Sequence, residues 1–262
     1  MKLIKKQLKS LINYLGYDIA KKDLRPQMGS RLLSLSLDLT DSEKFVLSKF
    51  HNSHYYWMNE VRWRIFLQCG VDLSGKTVFE PGAGIGDQTE WLLNRGVKNV
   101  FVSEARETNL NIIRKRFRLD SRVITYQGDL ESSLDSPDFL FTADFIFLWG
   151  VYYHIFDPIP EFPILKKLSR IAPLIAFDYL ESHNTEDFLE IYDYDHPTIA
   201  LSKKSWRQTR GSIINGVKSA FGYAYFPREQ MDAFDPRAPL WPRRIIFGSK
   251  IPLSSPGLIE AS

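Results

Sequence analysis

The chain has 262 residues, of which 44% are hydrophobic and 25% are charged, and its formal net charge is +3. This length can bury a full core and suits one domain with an appendage, in a protein of ordinary globular composition. The single cysteine, Cys69, excludes an internal disulfide and a cysteine-based metal cluster, and no apolar run reaches the roughly 20 residues of a membrane span. We therefore expect a cytoplasmic protein.

Basic residues concentrate towards both ends of the chain. Residues 1–26 carry a net charge of +5 and residues 203–250 a net charge of +7, whereas residues 27–202 carry −8. This distribution favours an anionic partner or substrate, but ordinary solvated surface charges explain it equally well.

The first residues, 1–15, have the spacing of an amphipathic helix with lysines off its apolar stripe, and Gly16 ends it. Such a helix either packs on its own domain or lies on an anionic membrane surface. A capping signal follows at residues 40–43, and residues 53–69 predict a second helix that is crowded with aromatic side chains. His51 and His54 lack a carboxylate at ligand spacing, so we expect no metal.

The most informative stretch, T-V-F-E-P-G-A-G-I-G, runs from Thr77 to Gly86. It combines a short strand with glycines at every second position and is followed by a helical segment. Glycine allows a sharp turn and lets a ligand lie against the main chain. A strand, a glycine loop and a helix N-terminus in this order are typical of sites for nucleotide-like ligands.

The glycine spacing argues against a dinucleotide. The G-x-G-x-x-G pattern would place its third glycine at Asp87, and Glu80 precedes the first glycine by two residues. A carboxylate at the tip of the strand repels a pyrophosphate, but it favours a cation or a hydrogen-bond donor such as an ammonium group.

Two further predicted strands also end in acids. Residues 99–103 lead into Glu104, about twenty residues past the glycines, where a carboxylate can accept both ribose hydroxyls. Residues 122–127 lead into Asp129, where an acid can meet an adenine amino group.

The three motifs together resemble those of class I S-adenosylmethionine-dependent methyltransferases. The resemblance implies a Rossmann-like, seven-stranded, mostly parallel α/β sheet with helices on both faces, behind a helical leader. It also implies that Glu104 holds the ribose of the cofactor, that Asp129 and Leu130 contact adenine, and that the methionine part is held by Glu80, Gly82, Ala83, Gly84 and Gly86. In that family a leading helix often covers the cofactor, so Tyr56, Trp57, Arg62 or Arg64 are candidates for the methionine carboxylate.

After a nearly all-apolar fourth strand at residues 143–149 comes G-V-Y-Y-H-I-F-D-P, residues 150–158. This segment is similar to the one that follows strand four in methyltransferases acting on sugars, glycan precursors and some tRNA wobble uridines. The similarity places Tyr153 and His154 beside the transferred methyl group, with His154 as the candidate base. Alternatively, His154 bonds a loop carbonyl and Asp157 only starts the next helix.

The remaining segments complete an α/β pattern. A helix at residues 163–171 and a fifth strand at 174–179 follow, and Asp178 near the end of that strand is a second candidate base. Residues 181–205 lack clean periodicity and predict an insertion that forms the acceptor pocket. Residues 205–221 then predict a helix, followed by two closing strands at 223–226 and 243–249.

The sequence therefore predicts a leader or cap over residues 1–70, a methyltransferase domain over 71–250 and a tail over 251–262. The expected reaction is transfer of a methyl group from S-adenosylmethionine to an oxygen of a saccharide or other small molecule. The alternatives are a tRNA or other RNA acceptor and a catalytically idle cofactor-binding protein. A nicotinamide-dependent oxidoreductase is opposed by the glycine spacing and by Glu80.

Overall fold

The computed structural model describes residues 39–51, 53–136, 139, 141–158, 160–182, 188–192, 204–230 and 243–262. The chain forms two compact units, Met1–Lys44 and Phe45–Ser262, and only residues 39–44 of the first unit are described. The amphipathic helix predicted for residues 1–15 lies outside the described residues, and the leader boundary at residue 70 stays a prediction.

Among residues 39–76 of the described chain, two helices precede the sheet. Helix α1 (Asp41–Phe50) begins with the predicted capping box: the Glu43 N–H donates to Thr40 Oγ1 at 3.2 Å, and the Thr40 N–H donates to Glu43 Oε2 at 2.6 Å. Helix α2 (Ser53–Gln68) is the predicted aromatic-rich helix. At its end the buried Cys69 thiol donates to the Ile65 carbonyl, and burial raises the pKa of that thiol to about 12, so it is no nucleophile.

All ten strands of the described residues belong to one sheet. Its centre consists of five parallel strands, which stand in the order β3 (Val123–Gln127), β2 (Asn99–Glu104), β1 (Thr77–Pro81), β4 (Phe145–Leu148) and β5 (Leu174–Glu181). Beyond β5 lies β9 (Arg243–Ser249), which pairs antiparallel with β5, and then β8 (Tyr223–Pro227), which pairs antiparallel with β9. These seven strands confirm the predicted α/β sheet.

Three further strands extend it. Strand β10 (Leu258–Glu260), in the predicted tail, pairs with β8. Strands β6 (Phe188–Tyr192) and β7 (Lys204–Gln208) pair antiparallel, and β7 continues alongside the end of β5, with Leu180 opposite Arg207. Part of the predicted insertion is therefore sheet that joins the carboxyl end of β5.

Helices cover both faces of the sheet. The first face, called here the α2 face, is covered by α2 and α3 (Asp87–Asn94), whose aromatic rings pack on β4, and α4 (Glu107–Arg116) is joined to α3 through Arg116. On it the Phe66 ring of α2 lies 5.4 Å from Phe147 of β4 and 5.7 Å from Trp91 of α3, between ring centroids. Because Phe66 is only 1% exposed, truncating it to alanine would cost about 3–5 kcal/mol of folding free energy.

The opposite face, called here the α7 face, carries α5 (Leu130–Asp135), α6 (Pro163–Ile171) and α7 (Arg210–Phe221). Leu168 of α6 and Ile213 of α7 share one buried cluster with Ile146 of β4. Successive residues of a strand point to opposite faces, so Phe147 packs on the α2 face and Ile146 packs on the α7 face.

The helix predicted for residues 205–221 is wrong over its first four residues. Residues 205–208 belong to β7, and α7 begins only at Arg210, after the N-cap Thr209, whose hydroxyl accepts the Ser212 N–H at 3.2 Å. Pairing with β6 and β5 satisfies the backbone groups of this segment and overrides its local helical pattern.

Candidate functional site

The glycine loop follows β1 with a backbone that only glycine adopts readily. Gly82 and Gly84 have φ values of +66° and +60°, in the left-handed region. A Cβ at Gly84 would stand 2.8 Å from the Phe50 ring, and one at Gly82 would stand 2.5 Å from Val151. The Gly82 N–H donates to the Ser103 carbonyl at 2.7 Å, which holds the loop against the end of β2.

Glu80 is buried beneath this loop, with 2% of its surface exposed. Its Oε2 accepts the Thr89 hydroxyl at 2.7 Å, while its Oε1 has no hydrogen-bond partner among the described residues. Burial raises the pKa of Glu80 to about 8, against the opposing effect of Thr89. An unsatisfied buried carboxyl oxygen is costly, so this position suits a ligand that brings a donor or a positive charge.

Glu104 ends β2 and is fastened to the glycine loop. Its Oε2 accepts the Gly84 N–H at 2.8 Å, and its Oε1 accepts the Arg106 N–H at 2.9 Å. Burial raises the pKa of Glu104, although these backbone donors oppose the shift. The structure thus brings Glu104 and the loop together, as their positions at the ends of neighbouring parallel strands predict.

Asp129 lies at the end of β3, but it is exposed, and its carboxylate caps α5. Oδ1 accepts the Ser132 N–H at 2.8 Å and Oδ2 accepts the Ser132 hydroxyl at 2.7 Å. Burial raises its pKa, but these hydrogen bonds outweigh that effect and lower it. Leu130 is buried in the cluster on the α7 face. The backbone N–H of Gly128, which follows β3, donates to the Glu104 carbonyl at 3.2 Å, so the ends of β2 and β3 stay adjacent.

Arg116 of α4 braces the glycine loop from below. Its Nη1 donates to the Ile85 carbonyl at 2.5 Å and to Asp87 Oδ1 at 2.7 Å, and its Nη2 donates to Glu90 at 2.8 Å. The sequence shows this arginine only as one of several cations at the end of a helix. Arg116 contacts residues about thirty positions earlier in the chain, and no local sequence pattern indicates such a contact.

Helix α2 is joined to α3 by a chain of polar contacts. Trp63 Nε1 donates to Gln88 Oε1 at 2.6 Å, and Gln88 Nε2 donates to Asn59 Oδ1 at 2.9 Å. Since α3 follows the glycine loop directly, these contacts hold α2 next to that loop.

Asp178 lies in a buried charge cluster at the end of β5 on the α2 face. Its oxygens accept Arg62 Nη2 at 2.7 Å and the Gly150 N–H at 2.6 Å, and Arg243 Nη1 lies 3.6 Å away. Burial raises the pKa of Asp178, but Arg62 and Arg243 outweigh that effect and lower it. Arg62 is also buried, and its Nε has no hydrogen-bond partner within the described part of the chain.

His154 ends a short 3-10 helix, Tyr152–His154, that follows β4. Its Nδ1 lies 3.0 Å from the Lys204 carbonyl and 3.0 Å from Ser205 Oγ, both in β7. A carbonyl only accepts hydrogen bonds, so in a neutral ring this contact favours the proton on Nδ1 and the lone pair on Nε2. The observed partner is a carbonyl of strand β7 and not the loop carbonyl of the alternative interpretation.

Tyr153 precedes His154 in sequence, and its ring contacts Arg243 of the charge cluster around Asp178. The phenol is buried, and the Arg243 guanidinium lies 4.6 Å from its ring centroid. Burial raises the pKa of Tyr153, with Arg243 acting in the opposite direction, so the phenol stays protonated at neutral pH.

Asp157, three residues after His154, stabilises the start of α6. Its carboxylate accepts the Ile164 N–H at 2.8 Å and the Leu165 N–H at 3.0 Å, which caps α6. The Tyr152 hydroxyl donates to it as well, at 3.1 Å. These contacts fix the peptide that carries His154.

Two wider observations bound the site. No three His, Cys, Asp or Glu side chains of the described residues stand close enough together to share a metal ion. Among the helices described, none has the length and apolar character that crossing a bilayer requires.

The sequence matches no protein-family model, and no curated protein matches it. Solved structures do match in fold. The N-terminal domain of EvdMO1, crystallised in the presence of SAH (S-adenosylhomocysteine) and D-fucose, has a TM-score of 0.57 at 17% identity over 76% of this chain and 84% of that chain. Magnesium protoporphyrin IX methyltransferase from Synechocystis PCC 6803, with bound SAM (S-adenosylmethionine), has a TM-score of 0.51 at 12% identity, over 81% of this chain and 99% of that one.

A third match is the bifunctional kinase-methyltransferase WbdD, with a TM-score of 0.51 at 14% identity, over 76% of this chain and 41% of that chain. At such identities a likeness shows the fold alone. The chain thus has the fold of S-adenosylmethionine-dependent methyltransferases, as the resemblance of its glycine motif predicts.

Proposed function

We propose that this protein binds S-adenosylmethionine and transfers its methyl group to an oxygen of a saccharide or another small molecule. The observation that carries the proposal is the buried Glu80, whose Oε1 has no hydrogen-bond partner in the described part of the chain and which lies beside a glycine loop fastened to Glu104. The fold and the ligands of the matched structures support it.

The residues at the loop fit this cofactor. Glu80 would give up its proton and receive the ammonium of the methionine part, because a cation then satisfies the Oε1 that has no partner among the described residues. The loop, formed by Gly82, Ala83, Gly84 and Gly86, would hold the same part through its main chain. Glu104 would accept the ribose hydroxyls with its remaining lone pairs, and Asp129 and Leu130 would border the adenine. Bound there, the cofactor supplies a methyl group that its sulfonium already activates.

His154 would act as the base. Its Nε2 carries the lone pair, because Nδ1 faces the Lys204 carbonyl, so it can take the proton of an acceptor hydroxyl. Tyr153 would orient the acceptor beside it. Asp178, ionised between two arginines, would position the loop after β4 through the Gly150 N–H rather than take a proton itself.

The acceptor class is argued from a matched structure and from the charge of the chain. The EvdMO1 domain was crystallised with D-fucose as well as SAH, and this chain shares its fold. An RNA acceptor is the second candidate, because residues 203–250 carry a net charge of +7. Methylation assays with D-fucose, a panel of glycans and bulk tRNA decide between the two classes.

The cofactor itself is tested by calorimetric titration with S-adenosylhomocysteine, with NADH as the control ligand. We expect saturable binding of the first ligand only, weakened at least about tenfold by Glu104→Gln, since a hydrogen bond to a charged group contributes about 1.5–3 kcal/mol. Glu107→Gln, an exposed acid in the first turn of α4, is the matched control and should bind like the wild type. Binding of NADH alone would contradict the proposal.

A further inference from the structure

A cavity lies on the α7 face, away from the glycine loop. Its volume is about 410 Å³, within the range of small-molecule sites. Tyr179 and Glu181 of β5 form part of its lining, together with Ile214 of α7 and Phe226 of β8. Residues of alternate parity in a strand face opposite ways, so these β5 side chains point away from Asp178 and its cluster.

Three arginines line this cavity, and they differ in their partners. Arg244 Nε donates to Glu181 Oε2 at 2.8 Å, so that pair is neutral overall. Arg210 lies over the Phe226 ring at 4.5 Å from its centroid. Arg228 donates through Nε to the Pro256 carbonyl at 2.5 Å. Within the described part of the chain, neither Arg210 nor Arg228 has a carboxylate partner.

Once Arg244 and Glu181 cancel, Arg210 and Arg228 remain against Glu260, an exposed acid on β10, and against the carboxylate of Ser262, the last residue, which also lines the cavity. A guanidinium presents its N–H groups in a planar fork that matches a carboxylate or a phosphate. The apolar walls supplied by Phe226 and Ile214 suit a carbon skeleton behind the anionic group.

We propose that this cavity binds a small organic anion through a carboxylate or phosphate group held by Arg210 and Arg228. The site is separate from the one assigned to the methyl donor, and the inference does not depend on methyl transfer. It accounts for two arginine side chains that have no acidic partner among the residues described, beside a partly apolar cavity.

The test is a pair of titrations of the full chain, one with inorganic phosphate and one with acetate, followed by amide chemical shifts at matched ionic strength. We expect saturable shifts around α7 and β8, and tighter binding of one anion identifies the group as phosphate or carboxylate. Arg210→Gln and, separately, Arg228→Gln should each weaken binding about tenfold, the effect of losing one charge-assisted hydrogen bond. Removing the opposing acid in Glu260→Gln should strengthen it.

Lys218→Gln is the matched control, because it removes one positive charge from the other end of α7 without touching the cavity. It should bind the anions like the wild type. The proposal fails if neither anion saturates, or if Lys218→Gln loses as much affinity as Arg210→Gln. It also fails if saturating S-adenosylhomocysteine displaces the anion, since the anion would then occupy the glycine-loop site.

Discussion

Arg62 Nη2 lies 2.7 Å from Asp178 Oδ2, and this contact joins α2 to the end of β5 across 116 positions of sequence. Both side chains are buried, at 3% and 0% exposure. A charge pair removed from water is held by its mutual attraction and by the donors around it, here the Gly150 N–H and Arg243. The contact fixes both a helix beside the glycine loop and the segment that carries His154.

Arg62→Met should therefore lower the free energy of unfolding by about 3–5 kcal/mol, because it leaves Asp178 buried with one main partner fewer. Urea unfolding followed by circular dichroism measures the loss. Arg64→Met is the control: Arg64 pairs with Glu60 at 3.7 Å in a partly exposed position, so its loss should cost less than about 1 kcal/mol. A double variant, Arg62→Met with Asp178→Leu, should recover part of the loss, and failure to recover any would mean that the charges are not the cause.

Glu80 predicts a specific dependence of stability on pH. Its pKa is about 8 in the folded protein, against 4.5 for an ordinary glutamate, so between these values the folded state holds a proton that the unfolded state has lost. Stability must then fall as the pH rises through this window, by up to about 1.4 kcal/mol per pH unit, and stay level above it.

Glu80→Gln removes this proton exchange and keeps the shape of the side chain. Urea unfolding from about pH 5 to about pH 8 should show the variant gaining stability relative to the wild type as the pH rises. Comparing the two proteins cancels the contributions of the other carboxyls. A profile of Glu80→Gln that runs parallel to that of the wild type would show that Glu80 ionises normally.

The fold follows from the sequence wherever the signal is local. The short apolar runs before Gly82 and Glu104 are strands because they are too short for helices and end in turn-forming or acidic residues. The same reasoning fails at residues 205–208, whose strand pairing depends on β5 and β6 and leaves no mark in the local pattern.

The candidate site divides in the same way. Glu80 and Glu104 follow from position at strand ends, but the bracing arginines Arg62 and Arg116 do not. Each pairs with an acid far along the chain, and on sequence alone both are ordinary helical cations. The capping of α5 by Asp129 was open to prediction, because an aspartate three residues before a serine N–H is a common N-cap.

Gly257 makes a close approach that only glycine permits. A Cβ there would stand 1.8 Å from the backbone oxygen of Gln68, at the end of α2. Gly257→Ala should therefore force the tail away from α2 and lower the melting temperature, by several degrees for a loss of about 2 kcal/mol. Gly211→Ala is the matched control, since nothing lies within 4 Å of that position in α7, and alanine there should stabilise by up to about 1 kcal/mol. Equal effects at both positions would contradict the packing around Gly257.

His154 decides whether the protein is a catalyst or only binds the cofactor. His154→Asn cannot accept the proton of an acceptor hydroxyl, so turnover should fall by about 10²–10⁴-fold, the usual contribution of a general base. Calorimetry should show unchanged affinity for S-adenosylhomocysteine, because His154 lies on the β7 side of the site and not at the glycine loop. Ser205→Ala, which keeps the Lys204 carbonyl as the partner of Nδ1, should retain most of the rate. The assay is methyl transfer to whichever saccharide or RNA the wild type accepts, and an undiminished rate in His154→Asn would place the base elsewhere.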